Sequence, residues 1–349
     1  MNLQNALAAL EIALKANVPT MLHGAPGVGK TDGVEGVARK LGLPCLTEVL
    51  ATMEAVDLRG LPRFDADGSS VTWSRPDFLK RLADLGPEGV LFIDEANSNA
   101  QSVQVPLMQL AWKRQIGPHV IPEGWRIVMA GNRQADRAAA QRMGTALANR
   151  LLHLDVDAPN SQDDVRAWAA WAAGAGIHPM VIAFIMLRGG PNGVQGKPGY
   201  QPGLLFDFRP DDANARAFPT PRAWSQVSKV ADAPDAVRLH LVAGLVGEKA
   251  ATEFEGFVRV YRSAPPVLAI LSNPAGAPVP SEPGVQYAVA LALSRAATAG
   301  NFSAVLQYMQ RVGREFEIVT ATDAIRRHPD LTDTQAFVTW AARNADVTI

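Results

Sequence analysis

The sequence predicts an α/β fold: a mostly parallel sheet with helices on both faces, followed by an all-helical region. Three observations carry this. Short apolar runs recur at 20–23, 45–50, 89–93, 125–130 and 151–156, with the length and composition of buried strands. Segments of helical periodicity lie between them, and strands that alternate with helices imply parallel pairing. Beyond about residue 160 the strand-like runs stop, and only helical patterns follow.

Each element has a local reason. Leu3, Leu7, Leu10 and Leu14 share one helical face, so 2–16 reads as an amphipathic helix. Pro19 and Thr20-Met21-Leu22-His23 form a strand that runs into glycines, and Val34, Val37, Ala38 and Leu41 mark the next helix. Helices are expected near 79–85, 103–113 and 138–149. Two places break the alternation. Residues 63–73 read as a hairpin turning at Asp67-Gly68. Val120-Ile121, flanked by Gly117-Pro118 and Pro122-Glu123-Gly124, mark a second candidate hairpin within 115–125. Helices are further expected at 162–173, 178–188, 221–231, 234–246 and 248–262, around a Gly/Pro-rich loop at 189–220. The prolines of 264–283 suggest a linker, and 284–345 reads as helical.

Composition sets limits. The chain has 349 residues, of which 48% are hydrophobic and 19% charged, as in an ordinary globular protein. Net charge is −1, which gives no global pull toward nucleic acid. The single cysteine, Cys45, excludes a disulfide framework within the chain. Glu11 and Lys15 interrupt what would be the apolar core of a signal peptide, and the longest apolar run, about 179–187, is too short to span a bilayer. A cytoplasmic location with no membrane association is the expectation.

The segment Gly24-Ala25-Pro26-Gly27-Val28-Gly29-Lys30-Thr31 fits G-x-x-x-x-G-K-[ST] in full, between a strand and a helix. Glycines let backbone N–H groups curl around a phosphate, and the following helix aims its positive end at the anion. Lys30 would reach the β and γ phosphates of ATP, and the Thr31 hydroxyl would bind Mg²⁺. Further along, the apolar run Val90-Leu91-Phe92-Ile93 ends in Asp94-Glu95. Two carboxylates at the end of a buried strand are costly unless a cation or substrate meets them. Asp94 would hold Mg²⁺ through water, and Glu95 would polarise the attacking water.

Three more candidates follow from position. Asn132 comes after the run 125–130, at a strand's carboxyl end where ligands collect, and could position the lytic water. Arg150 precedes the run 151–156, at the opposite sheet edge from the phosphates. It would reach a neighbouring subunit's nucleotide as an arginine finger, a contribution of about 10³–10⁵ in rate. Arg142 is a weaker second choice for that role. Arg222 opens a helix after Thr220-Pro221 and would touch the γ phosphate. His23 and His153 read as satisfied core or loop residues, and no histidine pair has metal-ligand spacing with acids.

Taken together, the stretches HGAPGVGKT (23–31), VLFIDEAN (90–97), IVMAGNR (127–133), ALANRLLHLDV (146–156) and FPTPRAW (218–224) resemble those of the AAA+ ATPases. Within that class the chain resembles the MoxR-like, AAA_5-type branch, over about residues 1–260. The resemblance implies a nucleotide domain over 1–158 whose two hairpins, about 63–73 and 115–125, are the inserts of that branch. It implies an α-helical lid over 159–263, leaving 264–349 as linker and helical segment of open role. It also implies Asn132 as first sensor, Arg150 as finger and Arg222 as second sensor. The expected assembly is a homo-oligomeric ring, usually a hexamer. That ring would remodel a protein client in a chaperone-like role, often with a partner that carries a von Willebrand factor A domain. The stretch 189–220 is longer than a compact lid needs.

Two other functions stay open on the residues alone. A nucleic-acid motor is disfavoured by the neutral charge and the lack of a basic or aromatic stripe. A nucleotide-gated scaffold with little turnover is disfavoured by the intact Glu95. GTP is disfavoured because Asn132-Arg133-Gln134-Ala135-Asp136 is not an N-K-x-D base-reading motif.

Overall fold

Helix α1 (Leu3–Lys15) begins at Asn2, whose side chain accepts from the Asn5 N–H at 3.0 Å, and buries Ala6, Leu10, Ala13 and Leu14 as one stripe. It leads to strand β1 (Thr20–Gly24), helix α2 (Lys30–Lys40) and strand β2 (Cys45–Val49). A short helix α3 (Ala55–Arg59) and the hairpin β3 (Pro62–Phe64) with β4 (Val71–Trp73) come next, then α4 (Asp77–Leu85) and β5 (Gly89–Asp94). Helix α5 (Gln101–Lys113) precedes a second small hairpin, β6 (Gln115–Ile116) with β7 (His119–Val120). Strand β8 (Trp125–Gly131), helix α6 (Thr145–Ala148) and strand β9 (Leu152–Val156) complete this half. The computed structural model describes residues 1–98, 101–136, 141–192, 201–209, 211, 216–262 and 264–345.

The five long strands form one all-parallel sheet in the order β2-β5-β8-β1-β9. Its inner strands are apolar on both faces, as a doubly covered parallel sheet requires. Met21, Leu91, Ile93, Ile127 and Met129 share a core with Phe78, Leu79 and Leu82 of α4 and Val103, Leu107 and Leu110 of α5. The residues alternating with them, Leu22, Phe92 and Val128, are fully buried on the face covered by α2, which packs on β5 and β8. The α/β class read from the sequence therefore holds.

A second compact unit takes in Asn160–Phe208 and the chain beyond 213. It is built from α7 (Gln162–Gly174), α8 (Pro179–Arg188), α9 (Pro221–Val230), α10 (Asp235–Val246), α11 (Glu248–Tyr261), α12 (Val267–Ser272), α13 (Pro283–Ala296), α14 (Phe302–Val312), α15 (Arg314–Arg327) and α16 (Gln335–Arg343). Helix α13 is a wall shared by two cores. It gives Ala288 and Leu291 to the aromatic cluster of Phe184, Trp224 and Phe254, and Val285, Val289 and Leu293 to the one around Phe302, Tyr308 and Trp340.

Two local expectations need correction. Among its described residues the stretch 138–149 holds the one-turn α6, and 138–140 lie outside those described. The supposed linker 264–283 contains helix α12, because Ile270 of its apolar run finds a fully buried place in the α13–α14 core. Much of 189–220 (193–200, 210 and 212–215) also lies outside the described residues.

Candidate nucleotide site

Register aligns the carboxyl ends of four strands. His23 pairs with Gly131, Gly24 with Val156, and Ile93 with Met129, so Gly24, Asp94 and Asn132 emerge on one edge of the sheet. Gly29 lies between this edge and α2, with φ at 97° in the left-handed region, where a side chain would be strained. The turn it makes lets α2 start at Lys30, with its N-terminal dipole end toward the loop.

Lys30 is buried. Its ammonium donates to the carbonyls of Gly24 at 2.7 Å and Ala25 at 3.1 Å, and to Asn132 Oδ1 at 3.2 Å. The other end of the Asn132 amide donates to Glu95, at 3.2 Å to Oε2 and 3.5 Å to Oε1. One buried amide thus joins the phosphate-loop lysine to the second acid. Thr31 Oγ1 donates to Asp94 Oδ2 at 2.6 Å, and the opposite oxygen, Asp94 Oδ1, accepts from the Glu95 N–H at 2.9 Å. Glu95 has φ at 56°, a left-handed conformation rare for a non-glycine residue and of the kind concentrated at functional sites.

Residues that sequence reasoning passed over hold this arrangement. Ser98 Oγ donates to Glu95 Oε2 at 2.5 Å, and Asn97 Nδ2 donates to the Asn132 carbonyl at 2.8 Å. Arg133 ties the β8 end to the β9 end by donating to the Val156 carbonyl at 2.7 Å and Asp157 at 3.0 Å. The signal for Asn97 and Ser98 lay in their place two and three residues after the acidic pair. His23 and His153 form a pair, with His23 Nε2 2.8 Å from His153 Nδ1 and the rings stacked at 5.1 Å. His153 Nε2 lies 2.8 Å from the Ala148 carbonyl. Since only an N–H can meet that carbonyl, Nδ1 of a neutral His153 accepts and His23 donates.

Arg150 stands apart from this cluster. Arg150 precedes β9, whose first residue, Leu152, pairs with Thr20, so Arg150 lies at the far end of the strands from Gly24. Its guanidinium packs over the Trp112 ring at 5.2 Å and donates to the Ala146 carbonyl. Arg142 is exposed. Arg222 is exposed in the first turn of α9, behind a Thr220 cap that accepts from the Ala223 N–H at 3.0 Å.

A glycine-rich loop between a strand and a helix, a helix dipole behind it, and a hydroxyl–carboxylate pair beside a second acid define a P-loop module. Residues 19–151, which contain all of these groups, match the family described as AAA_5, the AAA domain of the dynein-related subfamily, and this part of the chain is an AAA domain of the AAA+ ATPase type. The chain is also similar to the solved structure of a Thermotoga maritima RuvB point mutant, at 18% identity and a TM-score of 0.43, covering 74% of this chain and 71% of that one. It is similar to NtrX from Brucella abortus in complex with ADP, at 15% identity and a TM-score of 0.40, covering 98% of this chain and 67% of that one. No curated protein matches. Among the described residues, no helix is long and apolar enough to cross a membrane.

Proposed function

We propose that the protein is a ring-forming AAA+ ATPase of the MoxR-like branch that couples ATP hydrolysis to the remodelling of a protein client. The observation that carries the reading is the buried Lys30–Asn132–Glu95 connection. It puts the residue that grips the γ phosphate and the residue that polarises water on one amide, so that both are set in place before the transition state forms.

The donor set suits the nucleotide's metal. Thr31 Oγ1 and Asp94 Oδ2 are hard oxygen donors side by side, the type Mg²⁺ takes alongside phosphates. They would hold the ion, and it would neutralise charge on the phosphate oxygens. Lys30 then binds the phosphates, Glu95 takes the proton of the attacking water, and Asn132 keeps Glu95 and Lys30 in register. Arg150, remote from its own loop, serves a neighbour's nucleotide in a homo-oligomeric ring, a hexamer in this reading. Helices α7–α11 act as the lid, and Arg222 is the residue the lid brings to the γ phosphate. The β3–β4 and β6–β7 hairpins are the moving contacts to the client, and proteins with a von Willebrand factor A domain are the expected partners.

The deciding experiment uses Glu95→Gln. Light scattering with ATP should show a ring, ATP should bind, and phosphate release should stop. The variant should then retain client protein in an ATP-dependent pull-down. A monomer with undiminished hydrolysis would refute both the site and the ring.

A further inference from the structure

We infer that Trp112 is the positioning residue of the Arg150 finger. The inference rests on the reading of Arg150 as a finger in trans. Helix α5 turns Leu107, Leu110 and Ala111 into the core, whereas Trp112 is 60% exposed. A lone exposed apolar residue needs no explanation. This one has a partner: the Arg150 guanidinium lies over its ring at 5.2 Å, and the Lys113 ammonium lies over the same ring at 4.6 Å. The Ala146 carbonyl accepts from Arg150 NH1, so one hydrogen bond and one π face together fix a side chain that would otherwise sample many rotamers.

The chemistry fits a finger better than a structural ion pair. A carboxylate partner would cancel the charge that a finger must deliver. An indole face holds the cation through its quadrupole and leaves the N–H groups free to donate. Trp112 touches no nucleotide in this scheme and acts only through Arg150.

Kinetics of the full chain test this, with the oligomer followed by light scattering. The set is wild type, Trp112→Ala, Trp112→Leu, Trp112→Tyr, Arg150→Ala and the double variant Trp112→Ala/Arg150→Ala. The expected result is a fall in kcat of about 2- to 30-fold for Trp112→Ala and Trp112→Leu, the range a cation–π contact supplies. KM for ATP should stay near the wild-type value, and the ring should persist. Trp112→Tyr, which restores a π face, should recover most of kcat where Leu, similar in apolar character, does not. The double variant should be no slower than Arg150→Ala. Wild-type kcat in Trp112→Ala, an equal further loss in the Arg150→Ala background, full recovery by Leu, or dissolution of the ring would each overturn the inference. Undiminished kcat in Arg150→Ala would instead remove the trans-finger reading on which it stands.

Discussion

Thr31 and Asp94 share a 2.6 Å hydrogen bond that joins the first turn of α2 to the end of β5. The two residues lie on different elements and meet only because β5 and β1 both border β8. Thr31 and Asp94 are the residues that would hold the nucleotide's cation. Removing the acid should therefore cost metal before it costs nucleotide. In Asp94→Asn, hydrolysis should fall by about 10²-fold or more, with half-maximal activity moved to higher Mg²⁺. Titration of Mg²⁺ against phosphate release, with nucleotide affinity measured in EDTA as a reference, checks this.

Glu95 and Asn132 should separate binding from turnover. Neither needs to touch the nucleotide base or sugar in the proposed mechanism, so Glu95→Gln should bind ATP within about threefold of wild type while kcat drops by about 10²–10⁴. Asn132→Ala removes the bridge to both Lys30 and Glu95 and should reduce kcat with a smaller rise in KM. A fluorescent ATP analogue for affinity and single-turnover phosphate release for chemistry distinguish the two effects. Equal rates in wild type and both variants would sink the assignment.

Gly131 tests the support beneath the site. A methyl group there would sit 2.0 Å from Asn97 Oδ1 and 2.9 Å from Met21 Cε, so something must move. Asn97 is the residue that holds the Asn132 backbone, and its displacement would misplace the amide that bridges Lys30 and Glu95. Gly131→Ala should lower kcat by about 10- to 100-fold and stability by about 1–3 kcal/mol. Steady-state kinetics beside thermal melts check both. Wild-type kcat in a destabilised variant would show that Asn97 has no part in placing Asn132.

What was legible in the sequence follows from how local each signal is. The loop 24–31 announces itself because every glycine and the Lys30-Thr31 pair fall in one unbroken stretch. Val90-Leu91-Phe92-Ile93 announces a buried strand because a parallel sheet covered on both faces tolerates no polar alternation. The His23–His153 contact could not be read this way. It depends on β9 lying against β1, a neighbour relation between segments 130 residues apart. The Trp112–Arg150 stacking was hidden for the same reason, since a tryptophan on an amphipathic helix reads first as core. Helix α12 was hidden by prolines on either side of six residues too few to show a helical period, and it is held by the burial of Ile270.

The histidine pair gives a pH dependence with a definite sign. Burial is the main cause holding His23 below its ordinary value, with the neighbouring His153 adding to it and Asp155 opposing. A folded-state value below the unfolded one means that the unfolded chain binds more protons, so stability rises with pH across the interval. The contribution is fully present above the unfolded histidine value, about 6.5, and is lost as pH falls through that value toward the folded one. His178, also held down chiefly by burial, works in the same direction. His23→Gln, which keeps a donor toward His153, should therefore lessen the drop in Tm between about pH 7 and pH 5 without abolishing it. An unchanged Tm–pH slope in the variant would show that the His23 proton is not coupled to folding.

In the helical unit the most exacting residue is Arg238, an arginine only 1% exposed. It donates to both oxygens of Glu255, at 2.7 and 2.8 Å, to Asp235 at 2.8 Å and to the Ala233 carbonyl at 3.0 Å. That bidentate grip joins α10 to α11. Glu255, being largely covered, depends on it for its charge to be tolerated. Truncating one partner leaves an uncompensated buried charge, whereas replacing both with apolar residues of similar volume removes the desolvation cost with the attraction. Arg238→Ala should thus lose about 3–5 kcal/mol, while Arg238→Met/Glu255→Leu should recover most of it despite being the larger change. Urea denaturation of the full chain, followed at the helical signal, compares the two. A double variant as unstable as the single one would show that Arg238 acts through packing, with the ion pair contributing little.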